Sequence, residues 1–410
     1  MPKTAKFELI VYGATSFVGQ LLAHYLWQRF GASAELRWAL AGRSKTKLET
    51  LRTELGDGAQ ALAIVIADAQ DATALSKLCR RTRAVVSTVG PYALYGEPLV
   101  EACARNGTDY CDLTGEPQWI RQMIQRHEAT AQRSGARLVH SCGFDSIPSD
   151  LGVDFLQFHA QLKFGEPLEQ IKMRVKSMRG GLSGGTAGSM LNAVKEAAAN
   201  PAMRRELANP YSLCGSGPTP KTRQPSLRGA QFDPDSNAWV APFVMAPINT
   251  RIVQRSHALK GRPWGDSFRY DEAMIVGAGL LGRVGANLTA AGIGAFMAAS
   301  ALPPTRWFLQ KFILPAAGEG PSPKAQASGY FDLRFFGRTH SGQPLNARVS
   351  ADRDPGYGAT AKMLGEAAAM LALETPRSRL KGGFWTPATT FGQPLVKRLI
   401  EHAGMEFELL

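Results

Sequence analysis

Residues 9–26 read LIVYGATSFVGQLLAHYL. A short apolar run stops at Gly13, and a second glycine follows at Gly19. Apolar residues then recur at Phe17, Val18, Leu21, Leu22, Tyr25 and Leu26, the spacing of one helix face. The stretch is a buried strand, a tight glycine turn and a helix. A parallel neighbour can be reached from such a unit only by a crossover on a sheet face, which restricts the fold to strand–helix alternation. It is also how a chain cradles a dinucleotide.

The alternation continues. LRWALAG (Leu36–Gly42), ALAIVIAD (Ala61–Asp68) and AVVSTVG (Ala84–Gly90) read as further buried strands. Helical spacing from Glu97 to Arg105 precedes the short strand DYCDL, and Gln118 to Ser134 precedes RLVHSCGF. Short apolar runs between helices predict a Rossmann-type, doubly wound parallel sheet. After about Ser146 the pattern changes. EQIKMRVKSM reads as a strand of a second sheet, and RGGLSGGTAGSMLNAVKEAAA as a glycine-rich turn entering a helix. Pro201 to Asn237 reads as long loops. YFDLRFFGRT and LNARVSADRD read as paired strands, YGATAKMLGEAAAMLALE as a helix, and the last 30 or so residues as a loop and a final helix. The expected division is a dinucleotide-binding domain over 1–145 and an α/β (α+β) substrate and dimerisation domain over 146–374.

Ala273 to Leu302 stands apart, with Arg283 as its only charge. Its length allows a membrane span. Its glycines and Asn287 suit a buried hairpin or a dimer face instead. The basic and aromatic continuation PPTRWFLQKFILP suits a peripheral, lipid-facing element.

The formal charge of +13 suits an anionic partner: a phosphate-rich cofactor, an acidic carrier protein or an anionic membrane. The basic residues are scattered, which argues against nucleic acid. Five cysteines without a C-x-x-C argue against a disulfide framework or a metal site and fit a cytoplasmic protein, as does the lack of a signal-peptide pattern.

Four stretches carry chemistry. At the first turn, Gly13 supplies the positive φ, and Gly19 lets helix and strand approach closely. The amides opening the helix, around Phe17 and Val18, face a pyrophosphate. Thr15 and Ser16 either cap the helix or donate a hydroxyl to phosphate. The second strand ends AGRSKTK. Arg43 stands where an NAD site holds the ribose with a carboxylate, and with Ser44 and Lys45 it suits the 2′-phosphate of NADP(H); a solvated basic turn is the plain alternative. Asp68 ends the third strand and either meets the adenine side or caps a helix.

The fourth strand ends STVGPYALYGEPLVEAC. Ser87, Thr88 and Gly90, with Val89 between them, let a cofactor pass close to the backbone. Pro91 and Tyr92 then bend the chain across its nicotinamide half. Tyr92 is either a proton donor or a packed loop tyrosine. DLTGEP places Thr114, Gly115 and Glu116 at another strand edge, where Glu116 orients substrate or caps a helix. HSCGFDSIPSDLG (His140–Gly152) lies at the domain junction, a favoured place for a pocket. Cys142, Gly143 and Phe144 are placed to line the nicotinamide face. Asp145 and Ser146 are placed to bind substrate or donate a proton, and Ser149 and Asp150 to cap the next helix.

Together VYGATSFVG, LAGRS, STVGPYALYGEPLVEAC, GTDYCDLTGE, CGFDSIPSDLG, GGLSGGTAGSM, GEGPSPKAQASGYFDLRFFG and GGFWTPATTFGQPLVKRL run through nearly the whole chain. In this set the chain resembles the saccharopine dehydrogenase-like oxidoreductases, in their trans-acting enoyl reductase branch. The resemblance implies NADP(H), a Rossmann domain with the segment from about 375 to 410 packed back on it, and hydride delivery to an enoyl thioester carried on a polyketide or fatty-acid synthase. Ser16 departs from the glycine that relatives commonly hold there. A saccharopine-type amino-acid dehydrogenase and a non-catalytic lipid-surface protein are the alternatives. The segment 146–374 shows no distinct basic cluster for two amino-acid carboxylates, and its apolar stretch suits a lipidic substrate.

Overall fold

The computed structural model describes residues 5–181, 184–215, 217, 220–315 and 319–410. In chain order its strands are β1 (Phe7–Tyr12), β2 (Trp38–Gly42), β3 (Ala63–Ile66), β4 (Thr82–Ser87), β5 (Asp109–Asp112), β6 (Arg137–Val139), β7 (Leu168–Arg179), β8 (Gln231–Asp233), β9 (Ala238–Pro242), β10 (Arg269–Gly277), β11 (Tyr330–Thr339), β12 (Pro344–Ala351), β13 (Gly383–Trp385) and β14 (Met405–Leu409).

The first sheet is wholly parallel, in the order β13-β6-β5-β4-β1-β2-β3. β1 is buried along its whole length, because helices cover both sheet faces. Leu9 and Val11 pack with the helices Phe17–Phe30, Lys45–Glu54 and Thr360–Leu373. Ile10 and Tyr12 point the other way, into the layer of Ala72–Cys79, Glu97–Asn106 and Pro117–Ser134. The strand order reverses between β1 and β4, so a crevice opens there at the carboxyl edge.

The second sheet runs β14-β12-β11-β7-β10-β9-β8. Only β7 and β10 pair in parallel. The paired strands expected from YFDLRFFGRT and LNARVSADRD are β11 and β12. The helix Ile147–Phe164 packs on this sheet, with Ala246–Leu259 beside it.

The carboxyl end serves both sheets: β13 extends the first beside β6, and β14 the second beside β12. The return to the first sheet begins before residue 375, since Thr360–Leu373 already lies against β1, β4 and β5. Glu366 on that helix is fully buried and accepts a 2.5 Å bond from the Tyr25 hydroxyl and two bonds from Arg398. It thereby ties the first helix to the last.

Three local expectations change. Pro201–Ala208 is a helix and Gln231–Asp233 a strand inside the stretch expected as loops. Ala273 to Gly277 finishes β10, so the apolar helix starts only at Gly279. The carboxyl-terminal stretch also contains β13, three residues and too short to show a period of two, and β14, whose alternating MEFEL is a strand signal inside the stretch expected as a loop and a final helix.

Candidate functional site

The dinucleotide turn is built by exclusion. Gly13 has φ +82°, and a Cβ there would lie 2.6 Å from Val89 Cγ2 and 2.9 Å from Thr88 Oγ1. A Cβ on Gly19 would lie 2.1 Å from the Gly13 carbonyl oxygen, so only glycine lets the helix start this close to the strand. Ser16 is the N-cap. Its Oγ accepts from the Gly19 amide at 3.0 Å and donates to Thr88 Oγ1 at 2.9 Å, and Thr88 donates to the Gly13 oxygen at 2.9 Å.

The Ser16 hydroxyl is therefore spent on the turn rather than held out to phosphate. The amides of Phe17 and Val18 stand at the helix's open end, where the dipole favours an anion. Thr15 lies beside the end of β2: a Cβ on Gly42 would come within 3.9 Å of its hydroxyl. Ser16→Ala is expected to lower stability by about 1 kcal/mol, the worth of a lost cap. A thermal melt measures that loss, and an NADPH titration should stay within a few-fold of wild type.

At the end of β2, Arg43 is exposed and near enough to Tyr12 and Asp68 to act on the same phenol. Burial is the main cause that raises the Tyr12 pKa; Asp68 adds to it and Arg43 opposes it. Ser44 caps Lys45–Glu54, and Lys45 pairs with Glu49 at 3.7 Å in solvent. Arg43 thus remains the cation at the mouth of the crevice. Asp68 accepts from the Gln70 amide at 2.9 Å, a turn-forming bond, while Asp71 caps the next helix.

Tyr92 leaves the list of proton donors. It is 4% exposed; its hydroxyl donates to the Ser87 carbonyl at 2.9 Å, and burial drives its pKa well up. Packed on Trp119, it anchors the loop after β4. Glu116 makes no side-chain cap bond on the helix it precedes, Pro117–Ser134, and instead holds the start of the short helix Tyr92–Tyr95. Its carboxylate takes the Tyr92 amide at 3.0 Å and the Ala93 amide at 2.9 Å, and the Ser189 hydroxyl at 2.8 Å from across the crevice. Val89 and Pro91 stay partly exposed and Gly90 exposed at the crevice edge.

The junction after β6 separates its residues sharply. Cys142 is fully buried, its thiol directed at the Val139 carbonyl, and burial raises its pKa. It packs in the core and lines no cofactor face. Phe144 is 8% exposed, packs on Phe331 and donates its amide to Thr360 Oγ1 at 2.9 Å. Ser146 is also fully buried, with no partner for its hydroxyl among the described residues, so it faces inward rather than to substrate.

Asp145 alone keeps a chemically available group. It is partly exposed, and a Cβ on Gly115 would come within 3.1 Å of its Oδ2. Burial of the carboxyl, then the charge of Glu272, lifts its pKa to about 7. Asp150 instead takes the Ser256 hydroxyl at 2.5 Å and the Ala388 amide at 2.8 Å, locking CGFDSIPSDLG to TPATT.

Three groups were invisible to motif reading. Asp112 takes bonds from Tyr110, His140, Thr114 and Ser141 and so fixes both loops after β5 and β6. Asp354 is fully buried; it takes the Gly181 amide at 2.7 Å and the Tyr357 amide at 2.8 Å, tying the end of β7 to the turn before Thr360–Leu373. Glu272, on β10, faces Asp145 from the second sheet, and its own pKa is raised to about 7, chiefly by burial. The D-P-G run before Tyr357 was a readable turn signal; the burial of Asp354 was not.

A glycine turn at a switch point, an arginine at the end of β2 and a second sheet over the crevice define a nicotinamide-dependent dehydrogenase. The comparisons narrow the class. Residues 9–139 match the saccharopine dehydrogenase NADP binding domain. A Mycobacterium tuberculosis protein provisionally named a trans-acting enoyl reductase is 42% identical over 96% of this chain and 95% of its own length. The Mycobacterium ulcerans trans-acting enoyl reductase is 36% identical over 96% of each. The solved apo saccharopine dehydrogenase (L-Glu forming) of Saccharomyces cerevisiae shares the fold, with TM-score 0.54, 12% identity and coverage of 98% of this chain and 99% of that one. The chain belongs to the trans-acting enoyl reductase family of saccharopine dehydrogenase-like proteins. It is an oxidoreductase of the NADP-dependent kind.

Proposed function

We propose that this protein reduces the double bond of an enoyl thioester, presented on a carrier domain of a fatty-acid or polyketide synthase, with NADPH bound in the β1/β4 crevice. The observation that carries the reading is the arrangement along one sheet edge: the Gly13 turn, Arg43 beyond β2, and the carboxyl of Asp145 beyond β6. The residues fit the cofactor. The backbone at Gly13 and Gly19 leaves no room for a Cβ, the helix opens its amides at Phe17 and Val18, and Arg43 can fork onto a 2′-phosphate. NADPH, when bound, supplies the hydride for the β-carbon.

The chain's own work is then to orient and to hold a proton. Thr88 and Val89 set the floor of the crevice, and Glu116 fixes the loop Pro91–Ala93 across it. Asp145, about half protonated near pH 7 and increasingly neutral below it, can donate to the α-carbon. Tyr92 and Ser146, bonded or buried away, are not part of this machinery.

The test is NADPH oxidation with crotonyl and longer enoyl thioesters, free and carrier-bound. Turnover is expected. Tight NADPH binding with no turnover across that panel, together with turnover on saccharopine, would sink the reading. Arg43→Asp is expected to weaken NADPH about 10- to 100-fold, the worth of a charge-assisted pair, while NADH affinity holds or rises because a carboxylate there can take the ribose 2′-OH. Parallel titrations with the two nucleotides measure the split.

A further inference from the structure

The helix Gly279–Ala301 is apolar except for the exposed Arg283 and Asn287, the half-buried Thr289 and the buried Ser300. Its inner stripe is cut to fit the body: a Cβ on Gly282 would lie 2.2 Å from the Gly277 oxygen, and one on Gly285 2.9 Å from Val276. A water-facing helix would carry polar residues on the other side. Here Leu280, Leu281, Val284 and Leu288 project outward, with Leu281 87% and Leu288 68% exposed. The following helix, Pro303–Phe312, adds exposed Trp307, Phe308 and Phe312. Lys311 Nζ lies 4.9 Å from the Trp307 ring centre and 5.5 Å from that of Phe312. From Ala273 to Gly318 the sequence holds no Asp or Glu; its charges are Arg283, Arg306 and Lys311.

We propose that these two helices form an arm that docks on an anionic lipid membrane. The leucines and aromatics enter the boundary between headgroups and acyl chains, and the three cations meet lipid phosphates. Charge argues against a second copy of the chain as the occupant. A symmetric contact through the arm would set its cations against their own copies, with no carboxylate on the arm to offset them. A span is argued against by packing. The helix lies along β9, β10 and the helix Gly184–Ala199, and crossing a bilayer would draw the edge of the second sheet into hydrocarbon.

The arm adjoins the crevice. Gly184–Ala199 touches it on one side and, through Ser189, holds Glu116 on the other. The chain leaving the arm returns at Gly320, where a Cβ would lie 2.4 Å from the ring of Phe17. Docking would therefore set the crevice beside the lipid surface.

Flotation with vesicles tests this without any assay of turnover, so a failure of the reductase reading leaves it standing. The whole protein is expected to float with phosphatidylglycerol–phosphatidylcholine vesicles and poorly with phosphatidylcholine alone. The double variant Leu281→Asp, Leu288→Asp should lose about tenfold or more in bound-to-free ratio, with an unchanged thermal melt and NADPH titration. Arg306→Glu with Lys311→Glu should erase the preference for phosphatidylglycerol. The proposal is overturned if wild type floats with neither vesicle, or if the leucine variant floats as well as wild type. It is equally overturned if sedimentation finds a dimer that those leucine substitutions dissolve while vesicles stay unbound.

Discussion

Gly13→Val is expected to lower NADPH affinity by about two to three orders of magnitude while the protein still folds. Two costs add. A β-branched residue is strained at φ +82°, where glycine sits freely. Its side chain must also displace Val89 and Thr88, which a Cβ alone would approach to 2.6 Å and 2.9 Å. Thr88 cannot move freely, because it bonds the Gly13 oxygen and takes the Ser16 hydroxyl. Moving it opens the turn, shifts the helix cap and turns the amides of Phe17 and Val18 away from where a pyrophosphate sits. Fluorescence titration of NADPH measures the loss, and circular dichroism checks the fold. Unchanged affinity in a folded variant would mean that the cofactor does not use this turn.

The contrast with Ser16 shows what sequence reading reached and where it stopped. A serine in place of a glycine leaves the turn ambiguous between a phosphate donor and a cap, since both roles ask for the same hydroxyl. The partner decides it, and Thr88 lies 72 positions away. The first sheet was legible from β1 to β6 because each of those strands is a short apolar run closed by a turn, whereas the three residues of β13 join it from the far end of the chain. The second was legible at β7, β11 and β12, where apolar and polar residues alternate, but not at β10, whose end runs on into the apolar helix. The site divided in the same way. Gly13, Gly19 and Arg43 are constrained by local backbone and strand ends, which a motif records. Tyr92, Cys142 and Ser146 sit in equally suggestive motifs, yet their side chains turn inward, and no local pattern states the direction. Asp112, Asp354 and Glu272 act through long-range bonds and charges between elements, which a single sequence does not display.

Asp145→Asn is expected to cut kcat about a hundredfold or more, the usual worth of a positioned general acid, with a smaller change in KM. The pH dependence separates this from a loss of fold. Asp145 is raised from 3.8 to about 7, first by burial and then by Glu272. Wild-type kcat should therefore fall as pH rises through about 7, where the donor ionises, and the Asn variant should lack that limb. Glu272→Gln removes the repelling charge, lowers the Asp145 pKa and should shift the limb to lower pH. Stability should move the opposite way. A carboxyl whose folded pKa is raised supports the fold fully below 3.8, and that support is lost as pH rises through about 7. An amide cannot ionise, so Asp145→Asn should melt close to wild type in acid and above it in mild alkali. Slower turnover with a higher alkaline melting temperature is a pair that neither a misfolded variant nor a purely structural Asp145 would give. If kcat and its pH limb survive in the Asn variant, the proton comes from another group or from solvent.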